Sequence, residues 1–327
     1  MEDTDDLLQQ KISWSFNVLH SGVHPIVDHA GRPWPEGSRR WRLAGKPLNP
    51  HNMFGVFAQL GGDWPWLVKL LRLPWHMNTV EICRKCKVHK HNTGLNYANA
   101  ADDAVWLLPE HKRTNQEYIE LMAHNTENKK PAMPPITTII GFHMDMVVDC
   151  MLHDDLLGVR ASLCGSALKE FAERGLWGTY SGTWKEQLAQ QLEVAFRAFQ
   201  HWQGPRLSCS QQPFKPSSLS MHTMTDWPVL KAKGRNCAVV SVWLAHVAAE
   251  TADEQSHTEH AVILKNVLHA FAVMYSIFRN GEQWLSTNSL SQLEQARRIA
   301  MTGYNWLSAD CWSIGQFHFV NMCHFVN

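Results

Sequence analysis

The first third of the chain alternates apolar and polar positions with a period of two. Between positions 11 and 19 every second residue is apolar, namely Ile12, Trp14, Phe16 and Val18. This repeat is typical of a half-buried β-strand. Three more short strands are predicted at 23–27, 39–44 and 53–60, with turn residues such as Asp28 and Gly31 between the second and third. We therefore expect a small antiparallel or mixed sheet.

The second half of the chain follows the 3.6-residue period of helices. Apolar residues recur at helical spacing from 147 to 171, and Thr183 with Glu186 forms a capping box before another amphipathic stretch. Further helices are predicted near 227–249, 257–278 and 289–307. The predicted fold class is α+β, with a small sheet in the N-terminal third and a mainly helical C-terminal half. Three regions result: a strand-rich part (1–80), a Cys-containing insertion or loop region (81–138) and a helical region (139–327).

Composition narrows the class of protein. The 327 residues are 45% hydrophobic, which excludes a disordered chain. Lys and Arg number 30 and Asp and Glu also 30, so the net charge of 0 gives no strong basic footprint for nucleic acid. The 15 Trp residues are interpreted mainly as core anchors, with stacking on nucleobases as the alternative.

Processing and redox signals are also informative. The acidic start lacks the pattern of a signal peptide, and no apolar run approaches the roughly 18 residues of a membrane span. We therefore predict an intracellular protein without membrane contact. The eight Cys residues are too sparse for a disulfide scaffold, so reduced thiols are expected.

A zinc site is the first candidate for chemistry. Cys83 and Cys86 have the two-residue gap with which a tight turn presents two thiolates to one Zn²⁺ ion. Because a tetrahedral site needs four ligands, a second pair is required, and Cys150 with His153 is the candidate. His89, with His91 close by, is the alternative ligand. The competing interpretation is two incidental thiols and a packed helix.

Acidic residues near the ends of predicted elements are the second candidate. Asp63 follows the fourth predicted strand, and Pro65 suits the first turn of the next helix. Asp145 and Asp149 lie just before or within the next helical stretch. Carboxylates that converge from different elements can hold two Mg²⁺ ions for phosphoryl transfer. The alternative is that Asp63 is only a helix N-cap.

Four motifs follow one another in the order Gly62-Asp63-Trp-Pro65, Cys83-x-x-Cys86, Gly141-Phe-His-x-Asp145 and Asp149-Cys150-Met-Leu-His153. Together they resemble transposase-derived proteins of the RNase H-like DDE class, chiefly hAT-like and CACTA-like elements and their multicopy relatives in protists. The resemblance spans residues 12–175. It implies that region 1–80 is an incomplete RNase H-like sheet.

The resemblance also implies roles for single residues. Asp63 matches the second catalytic Asp of the family, and Cys150 with His153 matches its Cys/Asp-x-x-His pair. Asp28 is the only convenient candidate for the first catalytic Asp, although it resembles a turn residue, and Asp149 is a further candidate acid. No DNA-binding zinc finger or basic arm accompanies these motifs.

Three hypotheses follow. The favoured one is a transposon-derived RNase H-like protein without transposition chemistry that carries a structural zinc site. The second is an active Mg²⁺-dependent DNA transposase or nuclease, which would need a third acid such as Glu250 or Glu294. The third is a zinc-stabilised binding or scaffold module. The resemblance implies DNA as partner and the nucleus as location, and it leaves the oligomeric state open.

Overall fold

The computed structural model describes residues 4–51, 53–73, 83, 85–88, 95, 103–123, 133–150, 152–204, 207, 209–251, 258–281, 284–316 and 318–319, with the backbone alone at 149 and 152–154. The chain forms two compact units. Met1–Leu95 with Val105–Cys150 is called the N-terminal unit, and Asn96–Ala104 with Met151–Asn327 the helical unit. The fold is α+β and mostly helical, and the sheet of the described residues has two strands.

The N-terminal unit is built from short elements. Its helices are α1 (Thr4–Ser21), α2 (Arg39–Leu43), α3 (Trp64–Leu70) and α4 (Asn115–Ala123), and its strands are β1 (Leu60–Gly62) and β2 (Val147–Asp149). Short 3₁₀ turns occur at Val105–Leu107, Pro109–His111, Pro135–Thr138 and Met144–Met146. The two strands are parallel, with Leu60 opposite Val147 and Gly62 opposite Asp149.

The strand predicted at 11–19 is wrong, because this segment belongs to α1. α1 contacts its neighbours partly through polar side chains at helical spacing, since Gln9, Ser13 and Asn17 are four residues apart, and Phe16 packs against the apolar cluster of the unit. Gln9 accepts from the main chain of 135–140 at 3.3 Å, Ser13 donates to it at 2.7 Å, and Asn17 both donates at 3.0 Å and accepts at 2.7 Å. The apolar alternation is therefore not the pattern that positions this segment.

The other predicted strands are also mostly absent from the described residues. Segment 39–44 is the short helix α2, whose N-cap Ser38 accepts a hydrogen bond from the N–H of Trp41 at 3.2 Å. Segment 23–27 forms only isolated bridges, and both of its partners, Pro33 and Pro47, lack the N–H needed to extend a ladder. Of 53–60, only Leu60 belongs to a strand.

The core of the N-terminal unit is a small apolar cluster around α3, α4 and β2. It consists of Leu67, Leu71, Leu73, Tyr118, Met122, Ile136, Ile139, Met144 and Val147. Leu67 and Leu71 are spaced one turn apart, so α3 presents one apolar face to this cluster.

The helical unit is built from long helices. It begins with π-helical turns at Leu152–Val159, which depart from helical geometry at Gly158, and continues as α5 (Arg160–Glu173), α6 (Trp184–Gln203), α7 (Gly234–Thr251), α8 (Glu259–Asn280) and α9 (Thr287–Ser313). A 3₁₀ turn at Pro216–Leu219 lies between α6 and α7. The predicted helices of this half are confirmed, except that 147–149 form β2 and that the helix predicted near 227–249 begins only at Gly234. The capping box at Thr183 and Glu186 is present.

Aromatic side chains fill much of the core of the helical unit. Trp243 is buried, and its ring lies 6.0 Å from those of both Trp177 and Phe214. The interpretation of Trp as a core anchor holds for these residues. It fails for Trp284 and Trp312, whose side chains are 81% and 73% exposed.

Helix α8 is the one described helix that is long and apolar enough to cross a membrane. Its residues Leu264, Val267, Leu268 and Phe271 are buried, and the helix packs against α7 and α9. A core helix of a helical bundle can have the same length and composition as a span, and a third of the most apolar 18-residue window of α8 is buried.

One buried ion pair ties three helices of this unit together. The guanidinium of Arg160 donates to both carboxylate oxygens of Asp155, at 2.9 and 2.7 Å. It also donates to Ser241 of α7 at 3.1 Å and to the carbonyl oxygen of Phe271 of α8 at 2.9 Å, and it lies over the Phe271 ring. Arg160 is 0% exposed, so these bonds replace its hydration.

Candidate functional site

The parallel strands bring predicted site residues to one edge of the sheet. Asp63 directly follows β1, and Asp149 ends β2 in register with Gly62. The N–H of Cys150 donates to the carbonyl oxygen of Gly62 at 2.9 Å, which continues the ladder past Asp149. The backbones of Asp63, Asp149 and Cys150 therefore meet at adjacent strand ends.

Asp63 is the N-cap of α3. Its Oδ1 accepts a hydrogen bond from the N–H of Trp66 at 2.8 Å, and Pro65 occupies the first turn. A carboxylate at this position satisfies a free N–H group and interacts favourably with the helix dipole. The predicted strand-to-helix junction is confirmed, and a catalytic role for Asp63 stays a prediction.

Local packing explains why residue 62 is a glycine. A Cβ at this position would lie 2.2 Å from Cε3 of Trp66, so a larger residue would displace the indole ring. Packing of Trp66 over the end of β1 thus accounts for the glycine of the Gly62-Asp63-Trp-Pro65 motif without reference to chemistry.

The carboxylate of Asp28 makes its hydrogen bonds within its own turn. Its Oδ1 accepts from the backbone N–H groups of Ala30 and Arg32, each at 2.9 Å, and its Oδ2 accepts from Nε of Arg32 at 2.9 Å. The backbone hydrogen bond from Arg32 is the main cause that lowers the pKa of Asp28, helped by the guanidinium of Arg32 and the N–H of Ala30. Among the described residues this carboxylate lies on neither strand of the sheet.

The two candidates for a third acid pair with neighbours on their own helices. Glu250 of α7 lies 3.2 Å from Nε2 of His246, and Glu294 of α9 lies 2.9 Å from the guanidinium of Arg297. A hydrogen bond from Arg297 is the main cause that lowers the pKa of Glu294. Such pairs are typical of a solvated helix surface.

Cys83 and Cys86 do come together. The thiol of Cys86 is buried, and a hydrogen bond with the Cys83 thiol, together with burial, raises its pKa. The backbone N–H of Lys85 donates to Sγ of Cys83 at 3.2 Å. Two sulfur atoms that meet across a two-residue turn are what a zinc-binding pair requires.

The other predicted zinc ligands are less fully described. Cys150 is a half-buried free thiol, whereas the side chain of His153 and all of His89 and His91 lie outside the described residues. Within the described part of the chain, no three His, Cys, Asp or Glu side chains form a group that could hold a metal ion. Cys150 therefore does not join Cys83 and Cys86 in the described structure, and the four-ligand zinc site stays a prediction.

The helical unit contains a network of acids and imidazoles that the sequence patterns did not indicate. At its centre the ring of His260, on α8, bridges two carboxylates. Its Nδ1 lies 2.6 Å from Asp310 of α9, and its Nε2 lies 3.0 Å from Glu170 of α5. Three helices are therefore joined through one imidazole.

A second imidazole extends the network beyond α9. His318 is buried, and its Nε2 lies 2.7 Å from Glu173. The carbonyl oxygen of His318 accepts a hydrogen bond from Oγ of Ser166. Arg174 forms an ion pair with the remaining oxygen of Glu170. The network thus fixes the segment after α9 against α5.

The pKa of His260 is shifted, and so are those of two neighbouring side chains, Cys311 and Lys169. Burial lowers the pKa of His260, but hydrogen bonds and charges from Glu170 and Asp310 outweigh it, and the net pKa is raised. Burial, with the charges of Glu170 and Asp310, raises the pKa of Cys311 to about 12. Burial is also the main cause that lowers the pKa of Lys169.

These contacts favour a structural role for the network. Both ring nitrogens of His260 are held by carboxylates, so the ring cannot exchange a proton with a further group until one of these contacts breaks. The charges of Glu170 and Glu173 are compensated by Arg174, Lys169 and the imidazoles. A thiol with a pKa near 12 is a poor nucleophile at neutral pH.

No family model, curated protein or solved structure matches this chain. The site assignments therefore rest on geometry alone.

Sequence reasoning had no means of finding the network. Its members lie far apart, at 170, 173, 260, 310 and 318, and none belongs to a spaced motif. The one local signal was the pair His257 and His260, whose three-residue spacing does not match that of a helical metalloprotease site.

Proposed function

We propose that the chain is a transposon-derived protein of the RNase H-like DDE class that has lost transposition chemistry. The supporting observation is the parallel pairing of β1 with β2, which sets Asp63 and Asp149 at adjacent strand ends. This is the edge at which enzymes with parallel strands place their reacting groups. The two strands would be the remnant of an RNase H-like sheet.

The contacts of the acids support the loss of activity. Asp28 is occupied by its own turn, and Asp63 caps α3. Glu250 and Glu294 pair with residues of their own helices. Two-metal catalysis needs carboxylates free to share ions roughly 4 Å apart. DNA and the nucleus belong to this proposal as the ancestral partner and location.

A structural zinc ion is the second part of the proposal. Cys83 and Cys86 would hold it, with His153 and His89 as candidates for the other ligands, since Cys150 does not lie with the pair in this structure. Zinc binding contributes on the order of 10 kcal/mol of folding free energy in small peptides. It would therefore stabilise the segment around Cys83 and Cys86, which has little regular structure among the described residues.

DNA nicking tests the loss of activity. Supercoiled plasmid is incubated with the wild-type protein or with Asp63→Asn in Mg²⁺ or Mn²⁺. Asn still caps a helix, so this variant removes the charge and keeps the fold. We expect equal, background nicking by both proteins. Nicking by the wild type that Asp63→Asn abolishes would instead support the active transposase or nuclease.

Metal analysis of purified protein tests the zinc site. We expect about one zinc ion per chain, lost in the Cys83→Ser/Cys86→Ser variant. Cys209→Ser is the matched control, because Cys209 is a half-buried free thiol of the other unit. Absence of zinc from the wild type, or equal loss in the control, would contradict the site.

A further inference from the structure

A cavity of about 370 Å³ lies within residues 14–48 of the N-terminal unit. Its walls are mostly apolar and aromatic, with Trp14 of α1, Trp34 and Leu43 among them, and its rim carries His24, Arg39 and Arg40. A volume of this size is at the lower end of small-ligand pockets, which range from roughly 300 to 1,000 Å³. None of the sites above uses it.

The aromatic wall is held in place by its neighbours. The indole N–H of Trp34 donates to the carbonyl oxygen of Pro25 at 2.8 Å. The rings of Trp14 and Trp34 meet edge to face with their centroids 6.4 Å apart, and Trp14 makes a similar contact with His29. The wall is thus pre-formed, which limits the entropy that a ligand would lose on binding.

The rim of the cavity is basic, and the side chain of Arg39 is available to a ligand. The guanidinium of Arg40 lies over the Trp34 ring, 4.8 Å from its centroid, and Arg40 is an exposed residue of the cavity lining. Arg39 forms no hydrogen bond or ion pair with any residue that the structure describes. Two arginines at the mouth of an aromatic cavity suit a phosphate attached to a flat ring.

The surrounding segment has the charge that such a ligand needs. Residues 22–51 contain five Lys and Arg residues against two acids, a formal charge of +3, whereas the whole chain has a net charge of 0. One of the acids, Asp28, is already paired with Arg32. Next to the pocket residues on α2, Trp41 is 49% exposed and Arg42 is also on the surface. An aromatic ring between exposed arginines is a typical surface for unpaired nucleic acid.

We propose that this cavity binds a single unpaired nucleotide, with the base against the aromatic wall and the phosphate at Arg39 and Arg40. The nucleotide is either free or part of a single strand. The proposal does not depend on the transposase ancestry, and a double helix is excluded because its stacked bases cannot enter a cavity of this size.

Binding measurements on the full chain test the proposal. The probes are dTMP and dAMP by calorimetry, and fluorescein-labelled dT10 and a duplex of equal length by anisotropy. We expect saturable binding of the mononucleotides or of dT10, and weaker binding of the duplex. Arg39→Gln should weaken it about tenfold, as expected for loss of a charge-assisted phosphate contact.

Two variants make the test specific. Arg42→Gln removes the same charge from the same helix but does not line the cavity, so it should leave mononucleotide affinity unchanged. Leu43→Trp fills the cavity and keeps both arginines, so it should abolish binding while circular dichroism shows an intact fold.

The results distinguish a free nucleotide from a nucleotide that is part of a single strand. Mononucleotide binding sensitive to Arg39→Gln and Leu43→Trp identifies a free nucleotide, and binding of dT10 alone with the same sensitivity identifies a strand. The proposal is overturned when no probe binds, when Leu43→Trp binds as tightly as the wild type, or when Arg42→Gln and Arg39→Gln weaken mononucleotide binding equally.

Discussion

The two units satisfy buried polar groups with a different balance of contacts. In the helical unit, long helices satisfy most of their own backbone hydrogen bonds, and the buried charges form networks among side chains, such as Arg160 with Asp155. In the N-terminal unit the elements are short, and side chains are used to satisfy the backbone. Gln9, Ser13 and Asn17 of α1 bond the main chain of 135–140.

The two units also differ in the size of their apolar cores. A regular helix leaves its side chains free for packing or for ion pairs, so the helical unit has a large apolar core. The N-terminal unit has a small core and leaves large apolar side chains such as Ile26, Phe54 and Val56 more than 60% exposed. Three predictions test this contrast, from the largest effect to the smallest.

The largest effect is expected in the helical unit. Arg160→Leu leaves the Asp155 carboxylate buried without its partner, so the free energy of unfolding should fall by about 3–5 kcal/mol. Urea denaturation measures it. The double variant Asp155→Leu/Arg160→Leu removes both charges and should cost much less. An equal loss in single and double variants would show that the pair matters through packing and not through charge.

A smaller loss is expected in the N-terminal unit. Ser13→Ala removes the 2.7 Å hydrogen bond to the carbonyl oxygen of Pro135, which still accepts from Oγ1 of Thr138, so the cost should be that of one net hydrogen bond, about 0.5–1.5 kcal/mol. Hydrogen exchange should show faster opening of α1. Ser15→Ala is the control, because Ser15 is exposed and bonds only within α1. Similar effects of both variants would mean that the polar face does not hold α1.

The smallest effect is a dependence on pH. The pKa of His260 is raised in the folded chain, so its stabilising contribution is complete below the unfolded value of about 6.5 and is lost as pH rises through the folded pKa. Stability of the helical unit should therefore fall above about pH 6.5. His260→Gln should remove this part of the slope, measured by urea denaturation at several pH values. A slope that the variant retains would assign the titration to another group.

The sequence predicted local features in both units. Thr183 and Glu186 identified a helix start, and Asp63 with Pro65 identified a strand-to-helix junction, because capping depends on residues three or four positions apart. The strand predicted at 11–19 failed because polar side chains of α1 make contacts at helical spacing, and hydrophobic period does not distinguish such side chains from solvated ones.

The candidate sites also divide into those that the sequence indicated and those that it did not. The Cys83 and Cys86 pair was visible because both thiols lie on one turn. The His260 network was not, because its residues come from segments that are distant in sequence. The cavity by Trp34 was not, because the segments at 11–19 and 39–44 that line it were predicted as strands and are helices.

The sequence by itself therefore determined where the capped helices α3 and α6 begin, where two thiols meet and that aromatic side chains would fill a core. Only the tertiary structure decided which helix face is buried, which carboxylates are occupied and which arginine is left at the mouth of a cavity. The physical reason is range: caps and turns are fixed by contacts within a few residues, whereas burial and charge pairing depend on which distant segments pack together.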